Sequence, residues 1–455
     1  MGSKWNASLA RLRPLAGVRV LSMEQAAALP FATRHLADLG ADVIRVQSHK
    51  RPAPDTYDIE FTRNKRQLAI DLATPGGPDA FRRVAAACDI VCHNFTPQVV
   101  RKFGIDYESL RALRPDIIYL ELTGFGTDGP WRSRPLFGPG AEALAGHNLL
   151  IGDPDQWPGR PPTITYADNT CGLYAVLALT DALARKEQLG TGSHLDISLY
   201  ETAVSQLGPV LAERGLGAVP ERNLNGDAAF AFQGSYRSGE PGRYVAVSVP
   251  RGAQAAAAAA LGTATGDESG DESGIALGTA AGDESGTALG TALGTAAGDE
   301  SGDEAGLAAA LAGRPAGDAA AALQAAGIPA AVVADAAVVT TDEQLWARGY
   351  FGLLDRHDHG LDGEYAYSGP PFGGGADADI RPARPVGADS REILASVAGY
   401  PAAEIDALFA AGAVGTGAPG RPGAEADPAI RIERGELSRV DPDFRERIAA
   451  AKDHR

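Results

Sequence analysis

The segment from Gly17 to Gln47 constrains the fold more than any other part of the chain. GVRVLSM (17–23) is an apolar run rich in β-branched residues, LPFATRHLADLG (29–40) places apolar residues at helical spacing and stops at Gly40, and ADVIRVQ (41–47) is a second apolar run. Strand, helix, strand in that order is a crossover unit, and it implies a parallel sheet with helices on its faces. The pattern continues. Residues 78–87 read as a helix, 89–95 as a strand, 107–115 as a short helix closed by Pro115, and 116–126 as a strand that runs into a glycine-rich turn. Ligands of open α/β sheets sit beyond the carboxyl ends of the strands, which draws attention to Asn94–Phe95 and Thr123–Gly126.

Residues 168–187 form the strongest helix signal, with Arg185 and Lys186 in the last turn, where cations favour the helix dipole. A turn, a strand and a helix follow over 189–204, and a strand over 244–249. Helix, turn and strand return over 320–333, and two short helices over 391–414. The residues beyond are polar and rich in Pro and Gly, so a loose tail is expected over 416–455.

Between 252 and 313 there is no Lys or Arg, and GDESG recurs at 266–270, 282–286 and 298–302 among ALGTA-like units. Such a composition buries too little apolar surface to offset its ordering entropy. It predicts a disordered acidic insertion over 262–306. The acidic pairs lack the alternating ligand positions of a calcium-binding loop. The insertion holds ten acidic residues, so the rest of the chain carries −7 of the formal −17. That balance argues against a nucleic-acid surface. A length of 455 residues suits about two or three domains. Three cysteines (Cys88, Cys92 and Cys171) in no metal-type pair point to no disulfide framework and a reducing cytoplasm. The first residues have no signal-peptide core, Asn6 breaks a myristoylation motif, and no apolar run reaches about 18 residues, so no membrane span is expected.

Few residues stand out for chemistry. Asp168 sits at the start of the strongest helix, where it would cap the backbone N–H groups. The same N–H groups and the helix dipole would hold it ionised, and an ionised, desolvated carboxylate is a nucleophile. Both readings stay open on position alone. Arg63, Lys65 and Arg66 form a basic cluster that suits either a solvated face or a phosphate clamp. Cys171, one turn from Asp168 with no His near it in sequence, reads as packing. Neither HExxH nor GxSxG occurs, which removes the core residues of the metal-hydrolase and serine-hydrolase readings.

Six segments taken in order resemble the class III CoA-transferases, the family of formyl-CoA, carnitine and bile-acid CoA-transferases. They are PLAGVRVLSMEQAAALPFATRHLADLGADVIRVQ, TRNKRQLAIDLATPGG, CDIVCHNFTPQVVRKFGIDYESLRALRPDIIYLELTGFGTDGP, ADNTCGLYAVLALTDALARKEQLGTGSHLDISLYE, AAGIPAAVVADAAVVTTDEQLWARGYF and ADSREILASVAGYPAAEIDALFAAGAV. The resemblance implies an α/β fold, with a Rossmann-like large domain, a smaller α/β domain and an interlocked homodimer. It implies that Asp168 attacks an acyl-CoA thioester and forms a mixed aspartyl anhydride, and that CoA passes to a small carboxylic acid with no metal and no redox cofactor. By position, Ile70, Asp71, Leu72, Ala73, Asn94, Phe95, Thr96, Lys102 and Arg134 match residues that contact CoA. The expected domains are 1–225 (large), 226–335 (small, interrupted at 262–306 by the repeat, which displaces the helices that follow the 244–249 strand) and 336–415 (a return to the large domain). Two rivals remain: an α-methylacyl-CoA racemase, whose catalytic His is missing from LFGPGAEALAG, the first His after the turn being His147, and a CoA-binding protein without turnover.

Overall fold

The computed structural model describes residues 13–50, 60–152, 157–159, 165–218, 222, 225–262, 301–355, 364–371, 380–417, 432–433 and 440–453. Six parallel strands form the main sheet: β1 (Arg19–Met23), β2 (Asp42–Gln47), β3 (Arg66–Ala69), β4 (Ile90–His93), β5 (Ile118–Thr123) and β6 (Ser193–Ser198), in the spatial order β3-β2-β1-β4-β5-β6. The α/β expectation holds. The strand order reverses between β1 and β4, so the chain leaves a crevice at their carboxyl ends.

Alternation along the strands explains why both faces are covered. Val20, Val43, Ile90, Ile118 and Leu120 point into one cluster, which is closed by α1 (Ala28–Asp38) and by the long helix Tyr166–Leu189. Leu21, Ile44, Val91 and Tyr119 point into another, closed by α2 (Gly77–Ala85) and by helices near the end of the chain. Parallel strands buried on both faces need this near-continuous apolar character. The intervening helices are α3 (Pro97–Phe103), α4 (Tyr107–Leu113), capped by Asp106, and α5 (Gly138–Ala145). The long helix is α6 (Tyr166–Leu189), roughly 36 Å long at 1.5 Å per residue. It is followed by α7 (Leu199–Ser205), capped by Ser198, and α8 (Gly208–Gly215).

The chain divides into two compact units. One comprises Met1–Asn148, Arg160–Ala218 and Ala337–Arg455 and holds the parallel sheet. The other comprises Leu149–Gly159 and Val219–Ala336. Its antiparallel sheet runs β7-β8-β9, from β7 (Phe230–Arg237), β8 (Tyr244–Pro250) and β9 (Ala330–Val332). Helices α9 (Gln254–Ala260), α10 (Ser301–Ala312) and α11 (Ala316–Ala325) share its core through Leu261, Leu307, Leu311 and Leu323. The expected insertion lies outside the described residues over 263–300, but its carboxyl boundary is corrected. Helix α10 begins at Ser301, and Tyr236 donates a 2.7 Å hydrogen bond to Glu304. The helices after β8 are therefore interrupted by the repeat, not displaced by it.

The loose tail also needs correction. Helix α15 (Phe444–Lys452) lies within it, and Ala451 is buried against Trp346 and Phe351. Trp346 belongs to α12 (Glu343–Ala347), which leads into the hairpin of β10 (Phe351–Asp355) and β11 (Glu364–Ser368). Helices α13 (Ser390–Ser396) and α14 (Ala402–Ala410) pack Ile393, Leu394 and Ile405 onto the main sheet.

Candidate active site

Three strand exits build a cleft of about 130 Å³. Gln25 and Ala26 follow β1, Asn94, Phe95 and Thr96 follow β4, and Thr123 and Gly124 close β5. The β1 and β4 exits flank the point where strand order reverses. Ala26 holds a left-handed backbone at φ 55°, a conformation uncommon for a residue with a Cβ. Asn94 fixes that turn. Its Oδ1 accepts from Gln25 N–H at 3.0 Å and its Nδ2 donates to Gln25 C=O at 2.7 Å. The Asn94 side chain thus acts as a peptide mimic that ties the β4 exit to the β1 exit.

Asp168 lies on the wall of this cleft and is 9% exposed. The sequence expectation placed it at the N-cap. Instead α6 starts at Tyr166 with Thr165 as N-cap, and Asp168 is the third helical residue. Its carboxylate accepts from the Thr165 hydroxyl and, among the described residues, from no backbone N–H. The capping role is overturned, and so is the expectation that the helix terminus would dominate its ionisation. Burial raises the Asp168 pKa, the Thr165 hydrogen bond lowers it, and the neighbouring Glu142 carboxylate raises it further. The helix surface that carries Asp168 is otherwise core: Ala167, Cys171, Gly172 and Ala175 are buried around it. The Cys171 thiol is pushed up to about 12 by burial, which fits packing rather than reactivity.

Sequence reasoning missed two residues here. A Cβ on Gly138 would lie 2.2 Å from Asp168 Oδ2, so only glycine leaves room for the carboxylate as it sits. Glu142, 2% exposed, points from α5 at the start of α6 and accepts from Ala167 N–H at 3.3 Å. Its signal was a single acidic residue inside the apolar run AEALA. At the mouth, Arg132 and Arg134 are exposed, and the Arg134 guanidinium lies 5.2 Å from the Trp131 ring centre.

Of the residues expected to contact CoA, Asn94, Phe95, Thr96 and Arg134 line the cleft with Asp168. Ile70, Asp71, Leu72, Ala73 and Lys102 do not. Ile70 is buried in the core and bridges to Val414, Asp71 is held by Lys50 and Thr74, and Leu72 packs against that core. Ala73 is exposed, and Lys102 lies over the Phe103 ring at 5.3 Å. The basic cluster is neither a solvated face nor a phosphate clamp. Arg63 pairs with Asp38 at 2.8 Å and Lys65 with Glu24 at 2.5 Å, and both cations are buried. Arg66 pairs with Asp42 and Glu392.

A family model for CoA-transferase family III matches residues 15–390. The chain belongs to that family. The beta subunit of a succinyl-CoA–L-malate CoA-transferase from Chloroflexus aurantiacus is 33% identical over 248 residues, covering 52% of this chain and 61% of the relative. A succinate–glutarate CoA-transferase from Agrobacterium fabrum is 34% identical over 209 residues, covering 42% of this chain and 52% of the relative. The chain thus spans little more than half the length of these curated relatives. Among solved structures, a CAIB/BAIF family protein from Brucella suis is similar at a TM-score of 0.69 and 26% identity, over 84% of this chain and 99% of that one. The family III match covers β1 through the start of α13, so the cleft and Asp168 lie wholly inside it.

Proposed function

We propose that the chain transfers CoA between an acyl-CoA thioester and a small carboxylic acid, with Asp168 as the nucleophile. One observation carries the reading: a buried carboxylate with a raised pKa faces a cleft at the strand-order reversal of a family III chain. Desolvation raises the energy of the anion and strips it of water, which favours attack on a bound carbonyl. In the first step an Asp168 oxygen bonds to the thioester carbon, the C–S bond breaks and CoA thiolate leaves, giving a mixed anhydride. The thiolate then attacks the Asp168 carbonyl of that anhydride, releases the donor acid and leaves an aspartyl thioester. The acceptor carboxylate attacks this thioester and expels CoA thiolate again. Finally the thiolate takes the acceptor's acyl carbon and frees Asp168. Every step exchanges oxygen and sulfur at a carbonyl, so the route calls on no metal or redox group.

In this reading Asn94, Phe95 and Thr96 present the turn that receives the thioester arm. Arg132 and Arg134 at the mouth suit the anionic phosphates of CoA. The family's named relatives carry succinyl, malate and glutarate in their names. A dicarboxylate substrate is consistent with cationic residues at the mouth. Racemisation is the weaker reading, since none of the cleft residues is a histidine and His147 is engaged at 2.9 Å with the Ala203 carbonyl. No described helix is long and apolar enough to cross a membrane. The three cysteines are free and buried, which suits the reducing cytoplasm read from the sequence.

The protein is also read as a homodimer. Tyr166, Leu173, Tyr174 and Leu177 are exposed along one side of α6 while the opposite side is core. A helix apolar on both sides is usually covered on both. The test of the chemistry is Asp168→Asn with hydroxylamine trapping. An amide cannot form the anhydride, so transfer falls by several orders of magnitude, roughly the loss of a covalent route. The unaltered protein given acyl-CoA and hydroxylamine acquires a hydroxamate at residue 168, seen by mass spectrometry. Surviving activity in Asp168→Asn, with no adduct at 168, removes the residue from the mechanism.

A further inference from the structure

Beneath the β4 exit lies a buried polar chain that the transfer chemistry does not use. His93, the last residue of β4, is 0% exposed, and its Nδ1 accepts from Phe95 N–H at 3.2 Å. An accepting Nδ1 places the ring proton on Nε2. That Nε2 faces Glu121 Oε2 of β5 at 3.5 Å, and neither atom has a hydrogen-bond partner. The other oxygen, Glu121 Oε1, is 2.8 Å from His194 Nε2 on β6. The Tyr107 ring of α4 stacks on His194, with centres 4.4 Å apart. Tyr119 meets His93 edge-on at 5.4 Å. Burial keeps the His93 ring neutral, with a pKa lowered to about 4.

Two side chains therefore hold the turn that lines the cleft. Asn94 ties it to the β1 exit, and His93 ties the Phe95 peptide down towards β5 and β6. Resting on the transferase reading, we infer that His93 is a positioning residue for the CoA thioester: its neutral ring acts as the fixed acceptor that orients the Phe95 peptide in the cleft, braced by Glu121 and His194. His93 touches no substrate. A merely packing histidine would need neither the Phe95 N–H bond nor a carboxyl facing its second nitrogen.

The test separates the two ring nitrogens. His93→Asn keeps an acceptor near the Nδ1 position, whereas His93→Gln moves the polar atoms towards the Nε2 position. CoA affinity by calorimetry, hydrogen exchange of the Phe95 amide and melting temperature are measured on the full chain. The expected result is CoA binding weakened roughly tenfold or more in His93→Gln, the scale of a lost buried hydrogen bond, with faster exchange at Phe95. His93→Asn recovers most of both. Equal CoA affinity in the unaltered protein and His93→Gln overturns the inference while leaving the transferase reading in place. Equal weakening in both variants, with equally lowered melting temperatures, makes His93 a packing residue and also overturns it. Absence of CoA binding by the unaltered protein overturns the transferase reading, and the inference falls with it.

Discussion

At the scale of single residues, the site turns on how Asp168 is kept uncomfortable. A folded-state carboxyl with a raised pKa loses nothing below its unfolded value, where both states are protonated. It costs stability as pH rises from the unfolded value to the folded pKa, because the unfolded carboxyl ionises there while the buried one stays protonated, and the loss is complete above the folded pKa. In the proposed reaction the nucleophile is the Asp168 anion, so the acid limb of acyl-enzyme formation is expected above the ordinary carboxylate range. Glu142 contributes to the raising, and Glu142→Gln removes its charge while an amide oxygen can still accept from Ala167 N–H. The limb in Glu142→Gln is therefore expected at lower pH than in the unaltered protein. A pH profile of single-turnover trapping by hydroxylamine checks this, and a limb that stays in place or moves upward rules out electrostatic tuning by Glu142. By the same sign, Asp168→Asn should melt no lower than the unaltered protein near neutral pH. Asp168 was legible in the sequence because it opens a strong helix signal. Its true place in the first turn was not, because Thr165 and Tyr166 carry no pattern that separates a cap from a first turn. Glu142 and Gly138 were illegible because their importance is a distance to Asp168, which sequence spacing does not encode.

At the scale of elements, the cleft depends on how closely α6 approaches α1. Gly172 lies one turn beyond Asp168, and a Cβ there would be 2.7 Å from the Ala28 carbonyl oxygen and 2.9 Å from the Phe31 ring. Backbone cannot yield as a flexible side chain can. Gly172→Ala is therefore expected to destabilise by about 1–3 kcal/mol, the range for overpacking a filled interior. It should also lower transfer, because Ala28 lines the cleft. Urea unfolding followed by circular dichroism checks the first part, and unchanged stability would mean that the two helices have slack. The strands β1, β2, β4 and β5 were readable from apolar runs that flank a periodic helix. The strand β3 was not, because RQLA is four residues long and hides inside a cluster of cations. Those cations looked like a surface feature from composition. Their burial follows from carboxylates on other elements, Asp38 on α1 and Glu24 after β1, and only the fold brings these together.

At the scale of the whole molecule, composition spoke poorly about where order resumes. Ala451 sits in the stretch read as a loose tail, yet it is buried in a cluster with Trp346, and helix α10 begins at Ser301, inside the stretch read as disordered. One buried side chain per turn is enough to anchor a helix, and an Ala- or Gly-rich window dilutes that signal. The surface of α6 bears on the proposed dimer. Leu173 and Leu177 on α6 are 53% and 64% exposed, on the same side as Tyr166 and Tyr174 and away from Asp168. A contiguous apolar stripe of this kind on a single chain marks an interaction site, and self-association of two such stripes would need to bury about 1,600 Å² to be stable. The protein is expected at dimer mass in light scattering at micromolar concentration. The double variant Leu173→Glu with Leu177→Glu, which retains helix propensity, should run as a monomer with its far-ultraviolet circular dichroism preserved. A dimer that survives the double substitution places the interface elsewhere, and a monomeric unaltered protein removes self-association as the reason for the stripe.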